Sequence, residues 1–366
     1  MYKSFQFRLY PTKRQIHELN IILNSCRYIY NKTLNLCKDT YKETGEHLFL
    51  YDTSAFLTLW KKDQSFLFQI YDDVLRDALK RVDKTYKNFF NRLKLNENPG
   101  FPRFKGINKY NSFTYQKGFY INNNTIDLPK MGCIKIRKHR QIEGKIKILT
   151  IKKTSTNKWY AIFTSDIKDQ KTNISNLTSV GIDLGLTTFA TLSDGNIILR
   201  KRFFKQYEKR IANASRKREK FKKGSKQRNK AKLIESKIYE KLTNIKKDFT
   251  HKVALNLVNK YDLIVFEDLS ISKMRQTDMK NIRKGIADVA WNRFVQFTSY
   301  KAEWAGKKVI LVDPKNTSKI CSKCGNIIEK DLSTRIHECS CGLIIDRDLN
   351  AAINILRRGL SSLAKA

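Results

Sequence analysis

Apolar and polar residues alternate over Tyr2–Tyr10, with Phe5, Phe7 and Leu9 in phase, and this period of two predicts a strand. Pro11-Thr12 breaks the pattern. The period then lengthens, because Ile16, Leu19, Leu23, Cys26 and Tyr30 recur at helical spacing, so the first strand leads into helices. A second helix is predicted over about Asp72–Leu93. Its apolar stripe is Leu75, Leu79, Val82, Tyr86 and Phe90, and Arg76, Lys80, Lys84 and Lys87 fall on another face. Asn96–Lys105 reads as a loop around Pro99-Gly100-Phe101-Pro102. Period two returns between Asn111 and about Ile167 in short segments: Thr125–Leu128, Ile134–Ile136, Ile146–Ile151 and Trp159–Thr164. They predict an antiparallel sheet or small barrel, joined by the first strand and interrupted by the helices.

Lys168–Asn176 is polar and linker-like, and the major boundary is placed there. Beyond it strands and helices alternate. Ser179–Gly185 is a buried-strand pattern carrying one acid, and Leu186–Leu192 continues as strand up to the Ser193-Asp194-Gly195 turn. Lys201–Lys260 is helical and holds 21 Lys or Arg against 5 Asp or Glu. An apolar seam at Ile238, Leu242, Ile245, Phe249 and Val253 says that it packs on something. Gly and Ser amid cations at Phe221–Asn229 mark the tip of a helical hairpin.

Composition adds a partner to this picture. The 366 residues exceed one typical domain, so two or more packed units are expected. A formal net charge of +39, spread along the chain, points to a polyanion, and the hairpin is its densest part. No apolar run reaches the roughly 18 residues of a spanning helix, and Met1–Tyr10 lacks a signal-peptide core, so a cytoplasmic, nucleoid-associated protein is expected, with no membrane partner. Within the Asn96–Lys105 loop, Arg103, Phe104 and Lys105 set an aromatic between two cations, a combination that stacks a base and holds a phosphate. The plainer alternative is a turn whose Phe packs.

Three acids carry the candidate chemistry. Asp183 ends one buried strand, Glu267 ends another at Leu263–Glu267, and Asp348 stands at the start of a helix running through Asn350-Ala351-Ala352-Ile353-Asn354-Ile355. An acid at an apolar strand end is costly unless something compensates it. One alone often caps a turn, but three from two strands and a helix end can converge on one point, as a Mg²⁺ site requires. Two ions about 4 Å apart would activate water and steady the leaving oxygen of a phosphodiester. Asp268 and Asp346 are read as helix-capping or supporting neighbours.

Four of the seven cysteines form the pairs Cys321/Cys324 and Cys339/Cys341, separated by 14 residues, which is the layout of a tetrahedral, structural Zn²⁺ site. The second pair is Cys-x-Cys, so His337 stays open as a substitute ligand. Cys26, Cys37 and Cys133 are expected to be small core residues.

The order of GIDLG, the basic hairpin, VFEDL, CSKCG, CSCG and DRDLNAAINIL resembles transposon-encoded TnpB proteins, relatives of the type V CRISPR effectors. FRLYPTKRQ, CRYIYNKTLN, ALKRVDKTYKNFF and GFPRFK extend the resemblance over nearly the whole chain. It implies α/β plus α+β architecture: a ribonuclease-H-like (RuvC) domain at 171–366 with a zinc ribbon inserted at 315–345. A β-barrel wedge domain at 1–10 and 106–170 precedes it, with a helical recognition insert at 11–105. It also implies Asp183, Glu267 and Asp348 as catalytic metal ligands, a guide RNA from the transposon end, and one copy of the chain on one RNA. The implied reaction is cleavage of double-stranded target DNA beside a short flanking motif, with Arg76 and Lys80 the candidate readers. The alternatives are a nuclease-inactive RNA-guided DNA-binding regulator and a guide-free, structure-selective DNA nuclease.

Overall fold

The computed structural model of the protein describes residues 1–168, 178–269, 285, 288, 291–331 and 334–364. Most of the linker placed at Lys168–Asn176 lies outside them. The chain divides into two compact units, Met1–Lys168 and Asp169–Ala366.

The first unit is built on an antiparallel sheet of seven strands: β1 (Tyr2–Tyr10), β2 (Ser112–Tyr115), β3 (Tyr120–Ile121), β4 (Thr125–Leu128), β5 (Gly132–Arg137), β6 (Lys145–Lys153) and β7 (Trp159–Asp166). Their order is β2-β6-β7-β1-β5-β4-β3, an open half-barrel with β2 and β3 at its edges. The period-two reading holds in β1, where Phe5, Phe7 and Leu9 are each 1% exposed, and β1 is the central strand, paired with β7 from Tyr2↔Asp166 to Leu9↔Trp159. Short β2 and β3 escaped the pattern because so few residues alternate in them. Cys26 and Cys37 are buried as expected, but Cys133 is exposed. It falls on the solvent side of β5, out of phase with buried Ile134 and Ile136.

Three helices follow β1: α1 (Lys13–Thr44), α2 (Leu50–Asp63) and α3 (Asp72–Lys94). Thr12 opens α1 with a reciprocal cap, its Oγ1 accepting from Gln15 N while Gln15 Oε1 accepts from Thr12 N. In α3 the stripe Leu75, Leu79, Val82 and Tyr86 is buried, and Phe90 at its end is half-exposed.

The second unit holds a mixed sheet, β10-β9-β8-β11-β12, of β8 (Ser179–Asp183), β9 (Ala190–Leu192), β10 (Ile197–Ile198), β11 (Leu263–Glu267) and β12 (Lys308–Val312). β8, β11 and β12 are parallel. Strand does not run on from Leu186: the chain turns after β8, and β9 returns antiparallel to it, pairing Ile182↔Leu192 and Asp183↔Thr191. Between β10 and β11 lies the basic hairpin, α4 (Phe203–Glu219) and α5 (Lys226–Lys260). Its seam packs Leu242 with Phe203, Tyr207 and Ile211. At its tip Ser225 caps α5, and Arg218–Glu235 (2.5 Å) and Arg228–Glu219 (2.8 Å) tie the two helices together.

The sheet is covered on both faces. Val180, Ile182, Ile264 and Phe266 pack on Ala254, Leu257 and Val258 of α5 and on Trp291, Phe294 and Ala302 of α6 (Trp291–Trp304). On the other face Leu263, Val265 and Val312 pack on Ile355 of α7 (Arg347–Ala364). A two-stranded ribbon of β13 (Ile336–Glu338) and β14 (Ile344–Asp346) leads into α7. No helix among the described residues is long and apolar enough to cross a membrane.

Candidate metal centres

The parallel register Phe266↔Ile182 puts Glu267 and Asp183 next in line on neighbouring strands, at their carboxyl ends. Both belong to the sheet face that α7 covers, because Ile182 and Phe266 point into the opposite core. Contact between that face and α7 is close. A Cβ at Gly181 would lie 2.2 Å from the Ala352 carbonyl oxygen, and one at Gly359 would lie 2.4 Å from Val265 Cγ2. Asp348 sits one turn before Ala352, in the first turn of α7, and so comes to the end of the sheet where Asp183 stands. Asp346 holds that turn: its Oδ1 accepts from Asp348 N (2.9 Å) and Leu349 N (3.0 Å), a cap of the kind worth about 1 kcal/mol. Asp268, by contrast, is exposed, and its backbone N–H donates to Val312 O.

The three acids are electrostatically strained. Burial pushes the Asp183 carboxyl up to about 8, and the nearby Glu267 and Asp348 charges push the same way. Burial also raises Glu267, against the hydrogen bond from Thr317 and the charge of Arg358. Asp348 is raised by burial and by Asp346, against Arg335 and Arg347. Glu267 is 9% exposed, whereas Asp183 and Asp348 keep an opening to solvent. Three crowded carboxylates with raised pKa values suit a bound cation, which would remove both the repulsion and the desolvation cost. Their oxygens do not all lie within 4.8 Å of one another, so they form an open arrangement rather than one closed ligand shell.

A closed shell exists at the cysteines. The Sγ atoms of Cys321, Cys324, Cys339 and Cys341 all lie within 4.8 Å of one another, with 3.6 Å between Cys321 and Cys341 and 3.4 Å between Cys324 and Cys339. A tetrahedral ion with Zn–S of about 2.3 Å needs sulfurs about 3.8 Å apart, so the group fits zinc. Backbone N–H groups of Cys324 and Lys323, with His337 and Cys339, outweigh burial and pull the Cys321 thiol below its ordinary range, while hydrogen bonds with the neighbouring thiols push Cys324 up. His337 is fully buried on β13 but outside the four-sulfur group, and its Nδ1 pairs with Lys330 Nζ.

The chain also contains supporting residues that pattern reading missed. Thr317 Oγ1 donates to Glu267 Oε1 at 2.5 Å. Asn350 and Asn354, read from the sequence only as part of a helix start, are buried and bond the segment leading into the first cysteine pair. Two asparagines four apart among the small and apolar residues of the helix's buried side were the available signal; Thr317 offered none.

In the first unit, Arg76 is exposed on α3 and Lys80 is partly covered. Phe101 rests on Phe89 (5.4 Å between centroids) and Tyr86 (6.0 Å) and is 49% exposed. Phe104 is 49% exposed with Lys38 Nζ 4.7 Å from its ring centre, and Arg103 is exposed beside it. Asn31 grips Lys105 through both its backbone groups, and the Lys105 ammonium lies over Tyr30. The loop is thus fixed to α1 with Arg103 and Phe104 outward.

Residues 163–278 match a family described as "Probable transposase", 291–355 a "Cas12f1-like, TNB domain", and 1–46 a "Helix-turn-helix domain". In the last of these stretches the present chain has one strand and one long helix. A Streptomyces pristinaespiralis protein, provisionally named RNA-guided DNA endonuclease, is 30% identical over 99% of this chain and 90% of its own length. Escherichia coli InsQ, with the same provisional name, is 28% identical over 90% of this chain and 85% of its own. Shorter matches in Methanocaldococcus jannaschii and in a mimivirus of Acanthamoeba polyphaga are named TnpB-like proteins. Among solved structures, a chain from a Cas12f1-sgRNA-target DNA complex superposes with a TM-score of 0.61 at 14% identity, covering 97% of this chain and 98% of that one.

Proposed function

This chain belongs to the TnpB family, and we propose that it is a transposon-associated, RNA-guided DNA endonuclease. The observation that carries the chemistry is the meeting of Asp183 and Glu267, at the ends of adjacent parallel strands, with Asp348 from α7. On this reading Met1–Tyr10 and residues 106–170 are a wedge domain, 11–105 a recognition insert, and 171–366 a ribonuclease-H-like nuclease domain carrying a zinc ribbon at 315–345.

The three carboxylates would hold Mg²⁺, which supplies charge to activate a water and to steady the leaving oxygen. The chain's own part is to fix the carboxylates: Asp183 and Glu267 on rigid strands, Asp348 on a capped helix turn. Asp183 and Asp348 keep an opening to solvent, the side from which a phosphate would approach. The four cysteines would hold a structural Zn²⁺, with no position left for substrate.

A net charge of +39 supports a nucleic-acid partner held by its backbone, with base pairing to a guide RNA from the transposon end reading the sequence of double-stranded DNA beside a short flanking motif. Such a protein would work in the cytoplasm, at the nucleoid. The test is purification from cells carrying the native flanking DNA, sequencing of bound RNA, and cleavage of matched and mismatched plasmids. One discrete RNA and match-dependent cutting support the proposal; no enriched RNA, or cutting indifferent to match, would move the assignment to a guide-free nuclease.

A further inference from the structure

Glu267 is nine-tenths covered, and its Oε1 accepts a hydrogen bond from the Thr317 hydroxyl at 2.5 Å. That hydroxyl also has Pro314 O at 3.2 Å, but it has one proton to give, and the shorter, charge-assisted partner takes it. Thr317 is itself only 4% exposed and is held from behind. Its backbone carbonyl accepts from Asn354 Nδ2 at 2.9 Å. Ile320 O accepts from both Asn350 (2.8 Å) and Asn354 (2.6 Å). Ser322 N donates to Asn350 Oδ1 (2.9 Å), and Arg357 donates to Ser322 O (2.6 Å). The stretch from Thr317 to Ser322, which includes the first zinc-site cysteine, is therefore stapled along α7, the helix that carries Asp348.

We propose that Thr317 is the positioning residue of the carboxylate centre, its hydroxyl fixing the Glu267 carboxylate for cation binding. The inference rests on the three acids being a cation site. A glutamate with three rotatable side-chain bonds loses its preferred setting when a fixed donor is removed, and the cation must then order it. Asn350 and Asn354 make the arrangement one piece, since the same helix that presents Asp348 on one face fixes, from another, the backbone from which Thr317 reaches Glu267.

The experiment measures Mn²⁺ affinity on the full chain purified with its bound RNA, for wild type, Asp183→Ala, Thr317→Val, Thr317→Ser and Thr317→Ala, with zinc content and thermal midpoint alongside. Thr317→Val and Thr317→Ala are expected to weaken Mn²⁺ binding by roughly 10- to 100-fold, and Thr317→Ser to stay within about threefold of wild type. Serine and alanine differ by one oxygen, so their comparison removes any effect of the lost methyl group on folding. Wild-type affinity in both Thr317→Val and Thr317→Ala overturns the proposal, as does a Thr317→Ser variant as weak as Thr317→Ala. Wild-type binding that ignores Asp183→Ala would instead bring down the carboxylate reading itself, and this inference with it.

Discussion

A Cβ placed on Gly181 would stand 2.2 Å from the carbonyl oxygen of Ala352. Only a hydrogen atom fits between β8 and α7 there, and this approach is what brings Asp348, one turn before Ala352, to the strand end that carries Asp183. The obstacle is backbone, which cannot rotate aside. Gly181→Ala should therefore cost on the order of 3 kcal/mol, the upper range for overpacking, read as a fall in the denaturant midpoint. A midpoint equal to wild type would show that the helix is not held so closely.

The raised Asp183 pKa makes the metal-free protein's stability depend on pH. A carboxyl whose pKa is about 8 in the fold keeps its proton there, while the unfolded chain loses it near 3.8. The native state then binds more protons across that window, so this group's stability contribution is intact below about pH 4 and is lost as pH rises toward 8. Asp183→Asn should raise the metal-free thermal midpoint increasingly over pH 5–8, by about 2 to 4 °C for each kcal/mol recovered. Divalent metal should raise the wild-type midpoint and have less effect on the variant. A pH-independent difference between the two would contradict this.

The cysteine group should hold one zinc ion per chain. Cys339→Ser is expected to lose zinc and unfold the segment around β13 and β14, whereas His337→Ala should keep zinc at the wild-type ratio, because His337 stands outside the four sulfurs. Elemental analysis after dialysis decides it, and loss of zinc from His337→Ala would make the histidine a ligand.

The hairpin offers a charge test. Lys222, Lys223, Lys226 and Lys230 are exposed around its tip. Changing all four to Gln should weaken RNA binding and lower the slope of log affinity against log salt by roughly 0.7 to 0.9 for each phosphate no longer neutralised. An unchanged slope would make the tip plain solvated surface.

Much of this architecture was legible because it obeys a single period. β1, α3 and the hairpin declare themselves through alternation or a helical stripe, the strands ending in Asp183 and Glu267 through short buried runs that close on an acid, and the cysteine spacing is set by the geometry of one ion. What stayed hidden depends on contacts between distant segments. Thr317 sits in a loop with no period, and only the fold brings its hydroxyl to Glu267. Cys133 looked apolar in composition, but one step of strand register put it on the solvent face. The span from Leu186 was read as strand from its residues, yet the chain must turn there so that β9 can return beside β8.

The most direct test of the central claim is cleavage of guide-matched plasmid in Mg²⁺ by wild type and Asp183→Ala, with bound RNA quantified on the same preparations. Guided cutting by wild type, with Asp183→Ala reduced to background while retaining its RNA, is the predicted result. Undiminished cutting by Asp183→Ala would contradict the account, because the carboxylates of β8, β11 and α7 would then not be the site of the chemistry.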